Sequence, residues 1–340
     1  MAGKRKKILV TGGAGFIGSH LIKLWLKTNP SVEIVNLDSL TYCGDPSRLE
    51  DLRRHERYQF IKGNICDPDI VKDTMRGCAG VVHLAAESHV DRSLLDGKVF
   101  FQTNTCGTYV LLEEARRTGV ERFLFVSTDE VYGSRPKGFF KETDALHPTS
   151  PYSVSKTAAD LLALSYAHTY GLNAVVTRGG NTFGPYQYPE KVVPLFVSNA
   201  LSNKRLPLYG DGLQVRNWVH VEDHAHAIIT CFEKGKKGEA YNVASDDYVT
   251  NVDLTHQILK ILGKPASLIQ KVTDRPGHDR RYAMNASKIK KLGWRPKRKF
   301  AAALRETVLW YRDNRIWWER IKDKTADFKN YYAKQYARSV

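Results

Sequence analysis

Lys7-Ile8-Leu9-Val10-Thr11-Gly12-Gly13-Ala14-Gly15-Phe16-Ile17-Gly18 decides how this chain of 340 residues folds. Its first five residues are a short apolar run that stops at a glycine turn, the pattern of a strand buried in a parallel sheet. An amphipathic helix is expected from Ser19 to about Lys27. Gly12 permits the tight turn, Gly15 lets backbone approach a pyrophosphate, and Gly18 lets helix and strand pack closely. The helix N-terminus then offers free N–H groups and a favourable dipole to an anion. Val32-Glu33-Ile34-Val35-Asn36-Leu37 reads as a second strand ending at Asp38, 20 residues past Gly18. A carboxylate there binds adenosine ribose hydroxyls and repels a 2′-phosphate, so the expected cofactor is NAD and not NADP.

Outward from this unit, strand and helix signals alternate as βαβ units require. Tyr58 to Lys62 reads as a third strand, Gly80 to Leu84 as a fourth, Arg122 to Ser127 as a fifth and Asn173 to Thr177 as a sixth. One helix is expected from Val99 to Thr118 with Gly119 as its stop, and another through Tyr152 to about Tyr170 before Gly171. From Gly179 the character changes, with Pro185, Pro189, Pro194 and Pro207 separating short aromatic pieces. The fold class predicted is α/β: a Rossmann-type doubly wound parallel sheet with a smaller mixed α/β C-terminal lobe. Residues 1–178 would form the first domain and residues 179–315 mainly the lobe, with excursions back. Residues 316–340 would be a basic, aromatic C-terminal extension.

The chemistry is read at Thr128-Asp129-Glu130, 22 residues ahead of Tyr152-Ser153-Val154-Ser155-Lys156. The tripeptide ends the fifth strand, where function collects in open α/β sheets. Tyr152 and Lys156 are four apart on one helix face. A nearby ammonium is expected to lower the phenol's pKa and make Tyr152 a base near neutral pH. One tyrosine suffices for oxidising an alcohol. Two further carboxylates point to proton abstraction and leaving-group protonation as well, hence to dehydration coupled to redox.

Composition narrows the class. Hydrophobic residues make up 42%, enough for a substantial core, and no apolar run approaches membrane-spanning length. The basic N-terminus leads into a strand and not a signal h-region. Cys43, Cys66, Cys78, Cys106 and Cys231 are spread without metal-type spacing, so no metal is expected. They read as reduced thiols, mainly small core residues, in a cytoplasmic protein. The net charge of +16 is dispersed in runs such as Lys4 to Lys7 and Lys288 to Lys291. Such runs read as solvated faces, and no nucleic-acid-binding motif accompanies them.

With these residues in hand, the chain resembles the extended short-chain dehydrogenase/reductase superfamily, and within it the dTDP-glucose 4,6-dehydratases, over roughly residues 7 to 315. The specific stretches are Leu84-Ala85-Ala86-Glu87-Ser88-His89-Val90-Asp91-Arg92-Ser93, Ser127 to Gly133, Gly184 to Lys191, Val215 to His224 and Arg275 to Tyr282. The resemblance implies that Tyr152 removes the glucose 4-hydroxyl proton as hydride passes to NAD, with Thr128 holding that oxygen and Lys156 binding nicotinamide ribose. Glu130 would take the carbon-5 proton and Asp129 would protonate the departing 6-hydroxyl. It also implies cofactor contacts at Gly12, Gly15, Phe16, Ile17, Gly18, Asp38, Asn64, Ile65, Leu84, Ala85, Ala86 and Thr103. Ser88 and Asn181 would approach sugar and phosphates, and Arg216 and Arg275 would clamp the diphosphate. Lys191, Asn251 and His278 would lie near the nucleotide, and Pro207, Leu208 and Tyr209 would border the base. A homodimer is implied, through helices near 99–118 and 150–170.

Two positions depart from the family pattern. Asn64 stands where an acidic residue usually accepts from the adenine amino group. Gly179-Gly180 replaces bulkier residues before Asn181, which would enlarge the pocket or loosen its backbone. Other readings are the same reaction on UDP-glucose or another nucleotide hexose, a 4-epimerase, and a non-catalytic NAD-binding or nucleic-acid-associated protein. The Asp-Glu pair disfavours an epimerase, and the intact Thr128, Tyr152 and Lys156 set disfavours a non-catalytic protein.

Overall fold

A computed structural model describes residues 5–336. Its strands, in chain order, are β1 Lys6–Thr11, β2 Val32–Asp38, β3 Tyr58–Lys62, β4 Gly80–His83, β5 Arg122–Thr128, β6 Ala174–Gly179, β7 Asn181–Phe183, β8 Leu206–Tyr209, β9 Val215–His220, β10 Ala240–Val243, β11 Tyr248–Thr250 and β12 Ile269–Val272. Seven form one sheet in the order β10-β6-β5-β4-β1-β2-β3, with every neighbouring pair parallel. The chain reverses direction across the sheet between β1 and β4, which places a crevice at their carboxyl ends.

Both faces of these strands are apolar because both are covered. Ile8, Val10, Leu124 and Val126 point to the face covered by helices Phe16–Thr28 and Val221–Lys234. Leu9, Phe123, Phe125 and Val176 point to the opposite face, under helices Pro68–Met75, Gly107–Thr118 and Pro151–Thr169.

The expected single helix from Val99 to Thr118 is a continuous helical run with a widened π-type turn at Phe101–Cys106, and Gly119 closes it in the left-handed region at φ +66°. β6 runs two residues beyond the expected Thr177. The seventh strand, β10, was not expected. It is short and carries Asn242, whose side chain is satisfied by Tyr132 Oη and the Phe140 carbonyl, so no alternation betrays it.

The second lobe has β7, β9 and β11 in one small sheet and the pair β8–β12 in another. Its core joins Phe183, Phe196, Leu208, Trp218, Ile258 and Tyr311. Residues set apart in the sequence as 316–340 pack into the same core: helices Arg315–Lys324 and Ala326–Tyr336 bury Trp318, Ile321 and Phe328 there. Residues 337–340 of that segment, and 1–4 of the basic N-terminus, lie outside the described residues. The five cysteines are free thiols, but only Cys78 and Cys231 are buried; Cys106 is exposed. Among the described residues no helix is long and apolar enough to cross a membrane.

Candidate active site

β5 delivers Thr128 to the carboxyl edge of the sheet, and a tight turn, Asp129–Tyr132, begins at once. Thr128 is the N-cap: its Oγ1 accepts from the Glu130 amide at 3.3 Å and donates to Asp129 Oδ1 at 3.2 Å. Asp129 is 3% exposed. Its other oxygen, Oδ2, is buried and makes no hydrogen bond among the described residues. Burial, then the Glu130 carboxylate, push the Asp129 carboxyl up to about 8. Burial also raises Glu130, against the pull of Arg275, Lys191 and Arg216. The pair therefore holds one proton readily near neutral pH, on Asp129.

Helix Pro151–Thr169 starts on a capping box, Ser150 Oγ accepting from the Ser153 amide at 3.1 Å and Ser153 Oγ from the Ser150 amide at 2.9 Å, with Pro151 in its first turn. Tyr152 and Lys156 project from its first two turns toward β5. The expectation that Lys156 lowers the Tyr152 pKa is not met. Burial raises the phenol well above its ordinary value, the two carboxylates add to the rise, and a hydrogen bond with Thr128 opposes it. Lys156 donates instead to the Val126 carbonyl at 2.7 Å, and burial lowers its ammonium to about 7.

Asn104, unassigned in the sequence, locks this helix to the β4 loop. From the π-type turn its amide accepts from the Glu87 N–H (2.8 Å) and donates to the Glu87 carbonyl (3.0 Å) and to Ser155 Oγ (2.9 Å). No pattern in a single sequence marks an asparagine inside a helix for such a clamp.

Beside these groups lies a cavity of about 440 Å³, lined by every residue expected at the cofactor, from Gly12 and Gly15 through Asp38 and Asn64 to Thr103 and Lys156. Its walls suit a dinucleotide. Gly12 sits at φ +72°, and a Cβ there would meet the Ala85 amide nitrogen at 2.6 Å. A Cβ on Gly18 would fall 2.4 Å from the Gly12 carbonyl oxygen, so the glycines are required for the turn and the close packing. Helix Phe16–Thr28 opens at Gly15 with no side-chain cap and no acidic residue in its first turn, leaving its N–H groups for an anion. Asp38 accepts from the Ala14 and Leu40 amides at 2.9 and 2.8 Å, which orients the carboxylate beside the cavity with lone pairs to spare. The Asn64 amide oxygen, expected to accept from adenine, accepts from the Cys66 N–H at 2.9 Å.

Residues 9–307 match the family model described as GDP-mannose 4,6 dehydratase. A dTDP-glucose 4,6-dehydratase of Streptomyces niveus is 47% identical over 93% of this chain and 96% of its own length. The solved structure of DesIV, a dTDP-glucose 4,6-dehydratase of Streptomyces venezuelae with NAD and TYD bound, superposes with a TM-score of 0.91 at 47% identity, covering 93% of this chain and 99% of that one. The chain belongs to the dTDP-glucose 4,6-dehydratase family. A second solved relative from Bacillus anthracis, in complex with NAD, is 45% identical with a TM-score of 0.87, over 93% of this chain and 99% of that one.

Of the substrate-side residues that the family resemblance implied, Ser88, Asn181 and Lys191 line the cavity, and Lys191 Nζ donates to the Ser88 carbonyl at 2.7 Å. The others form a second group. Arg216 is buried over the Tyr282 ring and donates to the Asp279 carbonyl at 2.8 Å; Arg275 pairs with Asp91 at 2.9 Å. His278 contacts Asp274 at 2.6 Å and packs edge-on against Tyr209. Pro207, Leu208 and Tyr209 lie on β8, with Leu208 buried in the lobe core, and Asn251 heads helix Asn251–Leu262.

The departure at Gly179-Gly180 does not enlarge the pocket. A Cβ on Gly179 would sit 2.4 Å from His224 Cε1, and one on Gly180 2.9 Å from Asn217 Oδ1, so neighbouring side chains fill the room. Glu222 and Asp223, in the first turn of the following helix, do not cap it. His220 does, while Asp223 accepts from the amides of Lys297 and Arg298 and Glu222 pairs with Arg298.

Proposed function

We propose that this protein is an NAD-dependent hydro-lyase that converts dTDP-glucose to dTDP-4-keto-6-deoxyglucose. Support comes from family membership and above all from one observation: a carboxyl on Asp129, raised to about 8, stands between Thr128 and Glu130 with its second oxygen unpartnered. An oxidation alone needs no such acid.

Tyr152 would take the 4-hydroxyl proton, with Thr128 holding that oxygen, once the positive charge of a bound nicotinamide has brought its raised phenol down. NAD, when held beside Thr103 and Lys156, would supply a hydride acceptor for carbon 4 and, once reduced, a hydride donor for carbon 6. Once carbon 4 is a ketone, the carbon-5 proton is acidic enough for Glu130 to remove, Asp129 gives its proton to the 6-hydroxyl as water leaves, and Glu130 returns a proton to carbon 5 when hydride reaches carbon 6. Arg216, Arg275 and Lys191 lie close enough to Glu130 to lower its pKa, and this gathered positive charge supports reading them as the groups that receive the diphosphate.

The same catalytic set does not read the base, so UDP-glucose is the second substrate to weigh. Incubation with dTDP-, UDP-, CDP- and GDP-glucose is the test, with mass spectrometry of the product and absorbance of NADH. The dTDP compound should lose one water with no net NADH. Sustained NADH equal to product would mean an ordinary dehydrogenase, and an isomer of unchanged mass an epimerase. We further read the protein as a cytoplasmic homodimer. Val99, Phe101 and Tyr109 on one helical run and Val154 and Leu161 on the other are large, apolar and exposed, as a shared helix face would be.

A further inference from the structure

We infer that helix Ala326–Tyr336 completes the nucleotide end of the substrate site, with Tyr331 and Gln335 as positioning residues acting through Asp91 and Tyr209. The inference rests on the nucleotide-sugar reading of the cleft. The family model ends at residue 307, so this helix is outside what that comparison covers.

Asp91 is the hub. Its carboxylate is 3% exposed and accepts from Arg275 Nη1 at 2.9 Å on one oxygen. On the other it accepts from Tyr209 Oη at 2.9 Å and from Tyr331 Oη at 3.4 Å. Tyr209 Oη in turn accepts from Gln335 Nε2 at 2.7 Å. The C-terminal helix thus holds, directly or through one carboxylate, both the tyrosine read at the base and the arginine read at the diphosphate. The Arg275 Nε is buried and has no partner among the described residues, a donor in reserve beside the pair. Hydroxyl donors on the second oxygen disperse the Asp91 charge, so that Arg275 is not fully neutralised and can still attract an anion.

The Tyr331 ring has a separate task. The Arg92 guanidinium lies 4.0 Å from the Tyr42 ring centroid and 4.5 Å from that of Tyr331, with its Nε on Glu190 at 2.8 Å. Glu190 lines the cavity. His89 meets the same ring edge-on at 5.2 Å. The helix is well anchored for this work. Phe328 is buried in the lobe core, and Lys322 on the preceding helix donates to Ser198 Oγ and Asn199 Oδ1 at 2.9 and 2.6 Å. Those two residues belong to helix Val192–Leu201, which begins directly after Lys191 of the cavity.

The experiment uses the full chain loaded with NAD, and Tyr331→Ala, Tyr331→Phe and Gln335→Met. Affinity for dTDP is measured by calorimetry, KM and kcat with dTDP-glucose, and NAD affinity and melting temperature as controls. Tyr331→Ala should weaken dTDP binding and raise KM about tenfold with kcat within about twofold. Tyr331→Phe, which keeps the ring over Arg92 but drops the hydroxyl on Asp91, should retain about a threefold loss, and Gln335→Met should cost about as much. Unchanged dTDP affinity in Tyr331→Ala would overturn the inference. So would a joint loss of dTDP, NAD and melting temperature, since that is plain destabilisation. A wild-type protein that binds another nucleoside diphosphate and not dTDP would instead defeat the choice of substrate, and the same variants titrated with that nucleotide would then decide the role of the helix.

Discussion

In the proposed mechanism Asp129, Glu130 and Tyr152 carry separable steps, so substitution should stop the reaction at different points. Tyr152→Phe should lose the oxidation at carbon 4 and everything after it. Asp129→Asn keeps the volume but has no acidic proton, so it should oxidise, stall, and accumulate bound NADH with a 4-ketoglucose nucleotide. Single-turnover absorbance with quenched mass spectrometry reads both, and the elimination rate should fall by about a hundredfold to ten-thousandfold. Full-rate dehydration by Asp129→Asn would show the assignment to be wrong.

The same carboxyl sets a pH dependence. Asp129 must keep its proton, so turnover should decline as pH rises through about 8, and on the acid side it should decline where Glu130, raised above 4.5, gains a proton. For stability the sign follows from the same shift. A folded carboxyl raised from 3.8 to about 8 disfavours its charged form, so the stability tied to that proton is present below pH 3.8 and lost on the way to pH 8. The melting-temperature advantage of Asp129→Asn over the parent should therefore grow from pH 5 to pH 8 and level off above it. A constant difference would mean that Asp129 titrates normally.

At the scale of elements, the end of β6 packs Gly179 closely against His224 of helix Val221–Lys234. Gly179→Ala adds one methyl group where no space exists and should cost about 1–3 kcal/mol, as overpacking does. His224→Ala vacates the volume, so the double variant should be more stable than the sum of the two single changes predicts; additive urea-unfolding energies would refute the contact. This contact also shows where sequence reading stops. The glycine pair was visible as a departure, but its consequence depended on a histidine 45 residues on. The glycine turn, Asp38 and the Tyr152 helix with its stop at Gly171 were legible because each obeys a local rule of φ, charge or helix termination. Asn104 was not, since its partners come from two other segments, and β10 was not, since its inward side chain is polar.

For the whole molecule, the exposed apolar residues on the two helical runs should bring two copies together about a two-fold axis, burying four helices. Light scattering at working concentration should give twice the chain mass. A monomer there, or a dimer undisturbed by Leu161→Glu, would remove that interface. The net charge of +16 has no such single reader: ion pairs such as Arg280–Asp211 and Lys290–Asp246 are neutral, so the excess rests on the remaining cations, dispersed along the sequence.

β10 joins the large sheet only after the chain has made β7, β8 and β9 elsewhere. During synthesis, then, all the catalytic residues have left the ribosome while β6 still has a bare edge, and it stays bare until residues 240–243 emerge. A nascent chain halted in that interval displays an unpaired, apolar strand, the kind that recruits other strands. Slow translation before residues 240–243 have cleared the ribosomal exit tunnel should for that reason lower soluble yield more than an equal pause after they have cleared it.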